Sequence, residues 1–370
     1  MNFEFSDEQN LLREQAQGFL AQNCGVDKVR AVLDSNDTAY DADLYQKVAA
    51  MGWTATAIPE QYGGIGLGQL ELCVLAEELG RVVAPLPFSS SVYLATEALL
   101  LFGTDAQKTQ FLPDIAAGKT IGCLAIAEGV GPTLPGKLTC QVQNGKLTGT
   151  KLPVVDGDVA QLAIVLAGSG MYLADLTSSG VTRTTIDTID PTRSHAKIDF
   201  EEVACESLGD ETAGFAQLES LYDRAAVLFA FEQVGGAHSA LEMAKEYALG
   251  RFAFGRSIAS YQAIKHKLAD MYIEATLAKS NAYLGAWALS TNAAELPVAA
   301  ATARVSAINA YYECSKENIQ THGGMGFTWE FDCHLHYRRA KLLASNLGGL
   351  RGWKHRLVSN LEQSNQALEA

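Results

Sequence analysis

The sequence predicts an α+β chain in three consecutive parts: an N-terminal helical domain (residues 1–120), a small antiparallel β-barrel (121–210) and a C-terminal four-helix bundle (211–370). Three observations predict it. Apolar residues recur at i, i+3 and i+4 through the first part. Short alternating runs flank an Asn144-Gly145 pair in the second, and long Ala-rich runs of helical period fill the third.

In the first part the helical period runs through "DEQNLLREQAQGFLAQNC", "DADLYQKVAAMGW", "LELCVLAEELGRVV" and "YLATEALLLFG". The loop-forming stretches "PEQYGGIGLG" and "APLP" break it. The opening "MNFEFSDEQNLLREQ" has two early acids and a capping box of Ser6 with Glu8 and Gln9, so it reads as a helix start, not a signal or transit peptide. In the second part, "CQVQNGKLTGTKLPVV" places Asn-Gly between alternating runs, the strongest short hairpin signal. "AQLAIVLAG", "GMYLADL", "GVTRTTID" and "AKIDFEEVA" follow as strands. The third part holds runs such as "FAQLESLYDRAAVLFAFEQVGGAHSALEMAKEYALG", whose small residues suit close helix packing.

Composition narrows the function. The chain is 48% hydrophobic and 19% charged with 9 Pro, as in an ordinary globular protein. A formal charge of −14 argues against a nucleic-acid partner, and "HYRRAK" and "RGWKHR" read as solvated helix faces. No apolar run reaches the ~18 residues of a membrane span. Seven cysteines without a CxxC pair suit reduced thiols, hence the cytoplasm. "CHLH" (Cys333, His334, His336) has no second cluster at ligand spacing, so no metal site is expected.

Two local patterns carry chemistry. In "RFAFGRSIASYQAIKHKLADM", Arg251 can contact an anion and Phe254 can pack on a ring; the plain alternative is a turn between helices. In "QTHGGMGFTWE", Gln320 precedes Gly323, Gly324 and Gly326, bare backbone that either turns the chain or lets a bulky group approach.

Together and in this order, these patterns resemble the acyl-CoA dehydrogenase family of flavoproteins. The likeness extends to "IPEQYGGIGLG", to the α–β–α division and to "GGMGFTWEFDCHLHYRRAK". It implies an acyl-CoA substrate, an electron-transfer flavoprotein as acceptor, and tetramers in which FAD lies across a subunit interface. By position it implies that Arg251, Phe254, Gln262, Gln320, Gly323 and Gly324 hold the adenosine and pyrophosphate end of a neighbour's FAD.

The sequence departs from the family where the reactive ring is held. "AIAEGVGPTLPG" stands in place of a "TEPGAGSD"-like loop, and "TKLPVVDG" in place of a "KxWITN"-like strand. Pro153 occupies the Trp position and Val155 the Thr position, and neither side chain donates a hydrogen bond. Leu347 stands where most relatives carry the glutamate that removes the α-proton. A minority use an acid beside an Arg on an earlier helix, and "LYDRAA" offers Asp223 and Arg224 in those roles; otherwise they are an acid and a base near the start of a helix.

Retained adenosine-end residues beside lost ring contacts resemble one chain of the heteromeric (α2β2) acyl-CoA dehydrogenases of bacterial steroid side-chain degradation. The leading expectation is a subunit that lends half of a FAD site to a homologous partner in a heterotetramer. The alternatives are a self-sufficient homotetrameric dehydrogenase with Asp223 as base, and a non-enzymatic scaffold of the same fold.

Overall fold

Ser6 caps the first helix as its spacing requires. Its hydroxyl accepts from the Gln9 backbone N–H, and the Gln9 side chain accepts from the Ser6 backbone N–H. The structure is a computed structural model and describes residues 5–35 and 38–369; Glu4, one of the two early acids, lies outside them. The helices begin α1 (Asp7–Asn23), α2 (Val26–Leu33), α3 (Ala42–Ala50) and α4 (Gln69–Arg81). A π-helical stretch, Ser89–Thr96, then runs directly into α5 (Glu97–Phe102). A second capping box, Thr104 with Gln107, opens α6 (Asp105–Ala116).

The middle of the chain forms β1 (Gly122–Ala125), β2 (Gln141–Gln143), β3 (Lys146–Val155), β4 (Leu162–Ala167), β5 (Gly170–Asp175), β6 (Val181–Thr185) and β7 (His195–Ser207). Asn144 and Gly145 join β2 to β3 with φ of 51° and 73°, the left-handed pair that a tight hairpin demands. The sheet order is β1-β4-β5-β7-β3-β2, with β6 also on β7. All of these pairs are antiparallel, as expected, except β1–β4, which runs parallel. No hairpin links those two strands, so no tight turn fixes their relative direction.

The helices after the sheet are α7 (Gly214–Gly250), α8 (Gln262–Ser290), α9 (Leu296–His322), α10 (Cys333–Ser345) and α11 (Leu350–Glu369). A small hairpin of β8 (Phe252–Ala253) and β9 (Arg256–Ser257) links α7 to α8. Among the described residues no helix is long and apolar enough to cross a membrane.

By packing, the chain forms two units that interleave in sequence. Residues 28–68 and 85–225 make the first. Its core joins Ile58, Leu99, Leu112 and Ile115 to Ile164, Leu166 and Leu173 of the sheet and to Leu218 and Leu221 of α7. The second takes, of the described residues, 5–27, 69–84 and 226–369. There α8 packs on α9, and both helices bury alanines, Ala275, Ala278 and Ala282 on α8 and Ala300, Ala303 and Ala307 on α9. Side chains this small let helix backbones approach closely, which is why the Ala-rich runs fold as packed helices.

Candidate functional site

In the helical unit the two glycine-bearing patterns converge. Tyr247, in the last turn of α7, stacks on His322, which ends α9, with ring centroids 4.0 Å apart. The Arg251 backbone N–H donates to the Tyr247 carbonyl, so Arg251 emerges one turn beyond the stack. From the other ring of the stack, the chain turns directly into Gly323 and Gly324. His322 is itself buried: its Nδ1 lies 2.9 Å from the Asn318 carbonyl, and burial lowers its affinity for a proton. It is a packing residue, held between Tyr247 and Phe331.

The β8–β9 hairpin is held at both ends. Ser257 donates to the Ala248 carbonyl, Tyr261 to the Ala253 carbonyl, and the Arg256 guanidinium lies 4.0 Å from the Tyr261 ring. Phe254 and Gly255 form its tip, with φ of 52° and 81°, and Phe254 is 98% exposed. Gln262, the first residue of α8, and Gln320, in the last turn of α9, are also exposed. Gly323 has φ of 62°, and a Cβ on it or on Gly324 would meet nothing within 4 Å. The side chains of Arg251, Gln262 and Gln320 make no hydrogen bond or ion pair with the described residues, and all six candidates face solvent.

The other candidates lie in the sheet-bearing unit. Asp223 is buried on α7 at 7% exposure, and the Nε of Arg224 beside it pairs with the carboxylate of Glu97, the first residue of α5. Sequence reasoning missed Glu97. The one available signal was an acid inside the otherwise apolar "YLATEALLLFG".

The two segments that the resemblance sets against the flavin ring are stitched together. Leu152 N–H donates to the Ala127 carbonyl and Gly129 N–H to the Leu152 carbonyl. The wholly buried Lys151 ammonium donates to the Ile126 carbonyl at 3.0 Å and to Glu128 at 2.8 Å. Glu128 also accepts from the backbone and hydroxyl of Thr139 and from the Cys140 backbone. Nearby, Arg193 grips Asp156 through two hydrogen bonds and donates to Ser89 and Ser90 of the π-helix. Pro153 is exposed and Val155 half-buried, so this frame presents no side-chain donor at those positions. Leu347, at φ 59° between α10 and α11, likewise brings no ionisable group.

Among the described residues no cluster of His, Cys, Asp and Glu could hold a metal. In "CHLH", Cys333 and His336 are buried in the packing of α10, and His334 stacks on Trp329 at 4.5 Å.

Comparison with known proteins agrees with this architecture. Residues 6–119 match the acyl-CoA dehydrogenase N-terminal domain and residues 212–349 its C-terminal domain. Acyl-CoA dehydrogenase IpdE2 of Mycobacterium tuberculosis is 32% identical over 359 residues, covering 97% of this chain and 98% of its own. A variant of the Tcur3481-Tcur3483 steroid ACAD has a TM-score of 0.88 at 28% identity, covering 97% of this chain and 99% of its own. The ChsE4-ChsE5 complex of M. tuberculosis gives a TM-score of 0.88 at 26% identity, covering 98% and 99%. The chain belongs to the acyl-CoA dehydrogenase family, whose members are FAD-dependent oxidoreductases acting on acyl-CoA.

The residues present fit that cofactor at one end only. At the positions expected to meet the adenosine and diphosphate, an exposed guanidinium with no partner among the described residues and open glycine backbone suit a bulky anionic nucleotide. Toward the ring, Pro153 and Val155 supply no donor.

Proposed function

We propose that this chain is a subunit of an FAD-dependent acyl-CoA dehydrogenase that introduces an α,β double bond into an acyl-CoA thioester. It lends the adenosine-binding half of a FAD site to a homologous partner chain, which supplies the ring-facing barrel. One observation carries the reading: Arg251, Gln262, Gln320 and the bare glycines are exposed and uncommitted, while the stitched frame at Pro153 and Val155 offers a flavin ring no donor. A pure scaffold would have no use for an exposed, unpartnered Arg251.

The reaction requires a carboxylate that takes the α-proton while the β-hydrogen leaves as hydride. When bound, FAD supplies the acceptor for that hydride. The relatives named above include a steroid ACAD and a two-component complex, which supports a bulky steroid side-chain acyl-CoA as substrate and a heterotetramer as assembly. Family membership supports an electron-transfer flavoprotein as acceptor. The seven cysteines are free thiols, which supports the cytoplasm as the place of action.

A second reading rests on Asp223, buried beside Arg224 as a general base would be, in a self-sufficient homotetramer. The chain should be purified alone and together with the product of a neighbouring homologous gene, and FAD measured per protomer. Half an equivalent per chain in the pair, and little on the chain alone, is the expected result. One FAD per protomer on the chain by itself would refute the shared site and leave the homotetramer.

A further inference from the structure

We propose that the outward face of α8, from Gln262 to Trp287, is the surface on which the homologous partner chain docks. The inference rests on the reading of this chain as one subunit of a shared FAD site, and it says what holds the two chains together.

Helix α8 is apolar on two sides. Inward, Met271, Ala275, Ala278 and Ala282 are buried within the helical unit. Outward, Ala269, Ile273, Thr276, Leu277 and Ser280 are exposed, Ile273 at 52% and Leu277 at 56%. Leu284 and Trp287, both half-buried, continue that face. Steps of three, four and seven residues keep positions on one side of a helix, so these side chains form a stripe. From Ala269 to Trp287 it is about 27 Å long at 1.5 Å per residue.

Charge is kept off the stripe. Between Ala275 and Ser290 the only charged residue is Lys279, and its ammonium is turned to the Glu77 carboxylate of α4 at 2.8 Å. By contrast α11 presents Arg351, Lys354, His355 and Glu362 to solvent. A helix that is apolar all round packs on both sides, and a contiguous exposed apolar strip marks a protein contact.

Two observations name the occupant. The first is continuity: Gln262 lies seven residues before Ala269, on the same face and at the start of the same helix. The hairpin that leads into it exposes Phe252 and Phe254 and is tied to α8 by the Tyr261 hydroxyl on the Ala253 carbonyl. A chain that brings its flavin to Gln262 therefore lies along the stripe as well. The second is charge. Asp270 and Glu274 border the stripe, exposed and without an ion pair among the described residues, and the whole chain carries −14. A second copy would bring like charge to that edge, whereas a homologous chain with basic residues opposite Asp270 and Glu274 is attracted to it.

The test uses the full chain purified with the product of a neighbouring homologous gene, reading complex size by light scattering and FAD per protomer by absorbance. Ile273→Glu/Leu277→Glu should weaken association of the two chains at least about thirtyfold, the loss typical of a hot spot, and flavin should fall with it. Association at parent strength would overturn the inference. Val358→Glu, at an equally exposed apolar position on α11, should leave size and flavin unchanged; an equal loss there would trace the effect to added charge and overturn the inference too. Should the two glutamates prevent folding, Ile273→Ser/Leu277→Ser adds no charge, and parent-strength association in that variant is equally decisive against. Purified by itself, the chain should stay monomeric. Self-association that Ile273→Glu/Leu277→Glu abolishes would make a second copy the occupant and overturn the assignment. The two layers separate cleanly. One FAD per protomer on the chain alone removes the shared site and this inference with it, whereas a double variant that still assembles with half an equivalent per chain removes this inference alone.

Discussion

Lys151 and Glu128 pair across the segments 126–129 and 151–155, yet burial acts on them unequally. Desolvation pushes Glu128 up, but the hydrogen bonds from Lys151, from the Thr139 hydroxyl and from the backbone of Thr139 and Cys140 outweigh it, leaving the carboxyl at about 2. Desolvation dominates at Lys151 and lowers its ammonium in spite of Glu128. The asymmetry follows from exposure: the Glu128 side chain keeps 13% of its surface in water, the Lys151 side chain none. A carboxyl lowered on folding stabilises the native state above its unfolded value, here near 4.5, and the contribution is lost as pH falls toward 2. Glu128→Gln should therefore cost on the order of 3 kcal/mol at neutral pH, since it strands a buried ammonium, and should flatten the acid limb of stability. Urea titrations from pH 7 to pH 3 check both; equal midpoints for the two proteins at pH 7 would show that Lys151 finds another partner. Little at this scale was legible in the sequence. Glu128–Lys151, Glu97–Arg224 and Asp156–Arg193 each join residues far apart in the chain, and no local period marks a charged residue as buried and paired. The residues that the sequence does single out, Arg251 and Gln320, are exposed, Arg251 just beyond α7 and Gln320 in the last turn of α9.

Helices α4 and α7 approach each other closely enough that only glycine fits between them. A Cβ on Gly80 would stand 1.9 Å from the Glu232 carbonyl oxygen, and one on Gly235 would stand 1.9 Å from the Glu77 carbonyl oxygen. Both obstacles are backbone, so no side chain can swing aside. Alanine gains up to about 1 kcal/mol over glycine in a helix interior, but overpacking against a fixed backbone costs about 1–3 kcal/mol, so the clash wins. Gly80→Ala should lower the urea midpoint without changing the slope, and a midpoint at or above that of the parent would show that the helices part freely. Element identity was readable because capping boxes, the Asn-Gly turn and the helical period are local. Two features were not. The parallel β1–β4 pair depends on which strands become neighbours, and the π-helix before α5 depends on Ser89–Thr96 packing against strand β1 and the Asp156–Arg193 pair. Neither leaves a local pattern.

At the scale of the molecule, the sequence alone proposes an adenosine-end set and a lost ring-side set, each argued from side-chain chemistry at positions matched to the family. What it could not show is how the kept parts meet. The Tyr247–His322 stack joins the ends of α7 and α9, the ends from which Arg251 and the Gly323–Gly324 turn continue the chain. This arrangement separates binding from stability. Arg251 is exposed and its side chain pairs with none of the described residues, so Arg251→Gln should leave the urea midpoint within about 0.5 kcal/mol of the parent, as for most surface changes. Its loss should instead be felt by a nucleotide diphosphate. A charge-assisted hydrogen bond contributes about 1.5–3 kcal/mol, which is roughly a tenfold to hundredfold weaker grip. In the purified pair, flavin absorbance per protomer after gel filtration should fall for Arg251→Gln and return when FAD is added in excess. Flavin retained at the parent level through dilution would mean that the diphosphate is held elsewhere, and that the exposed guanidinium serves the assembly in some other way.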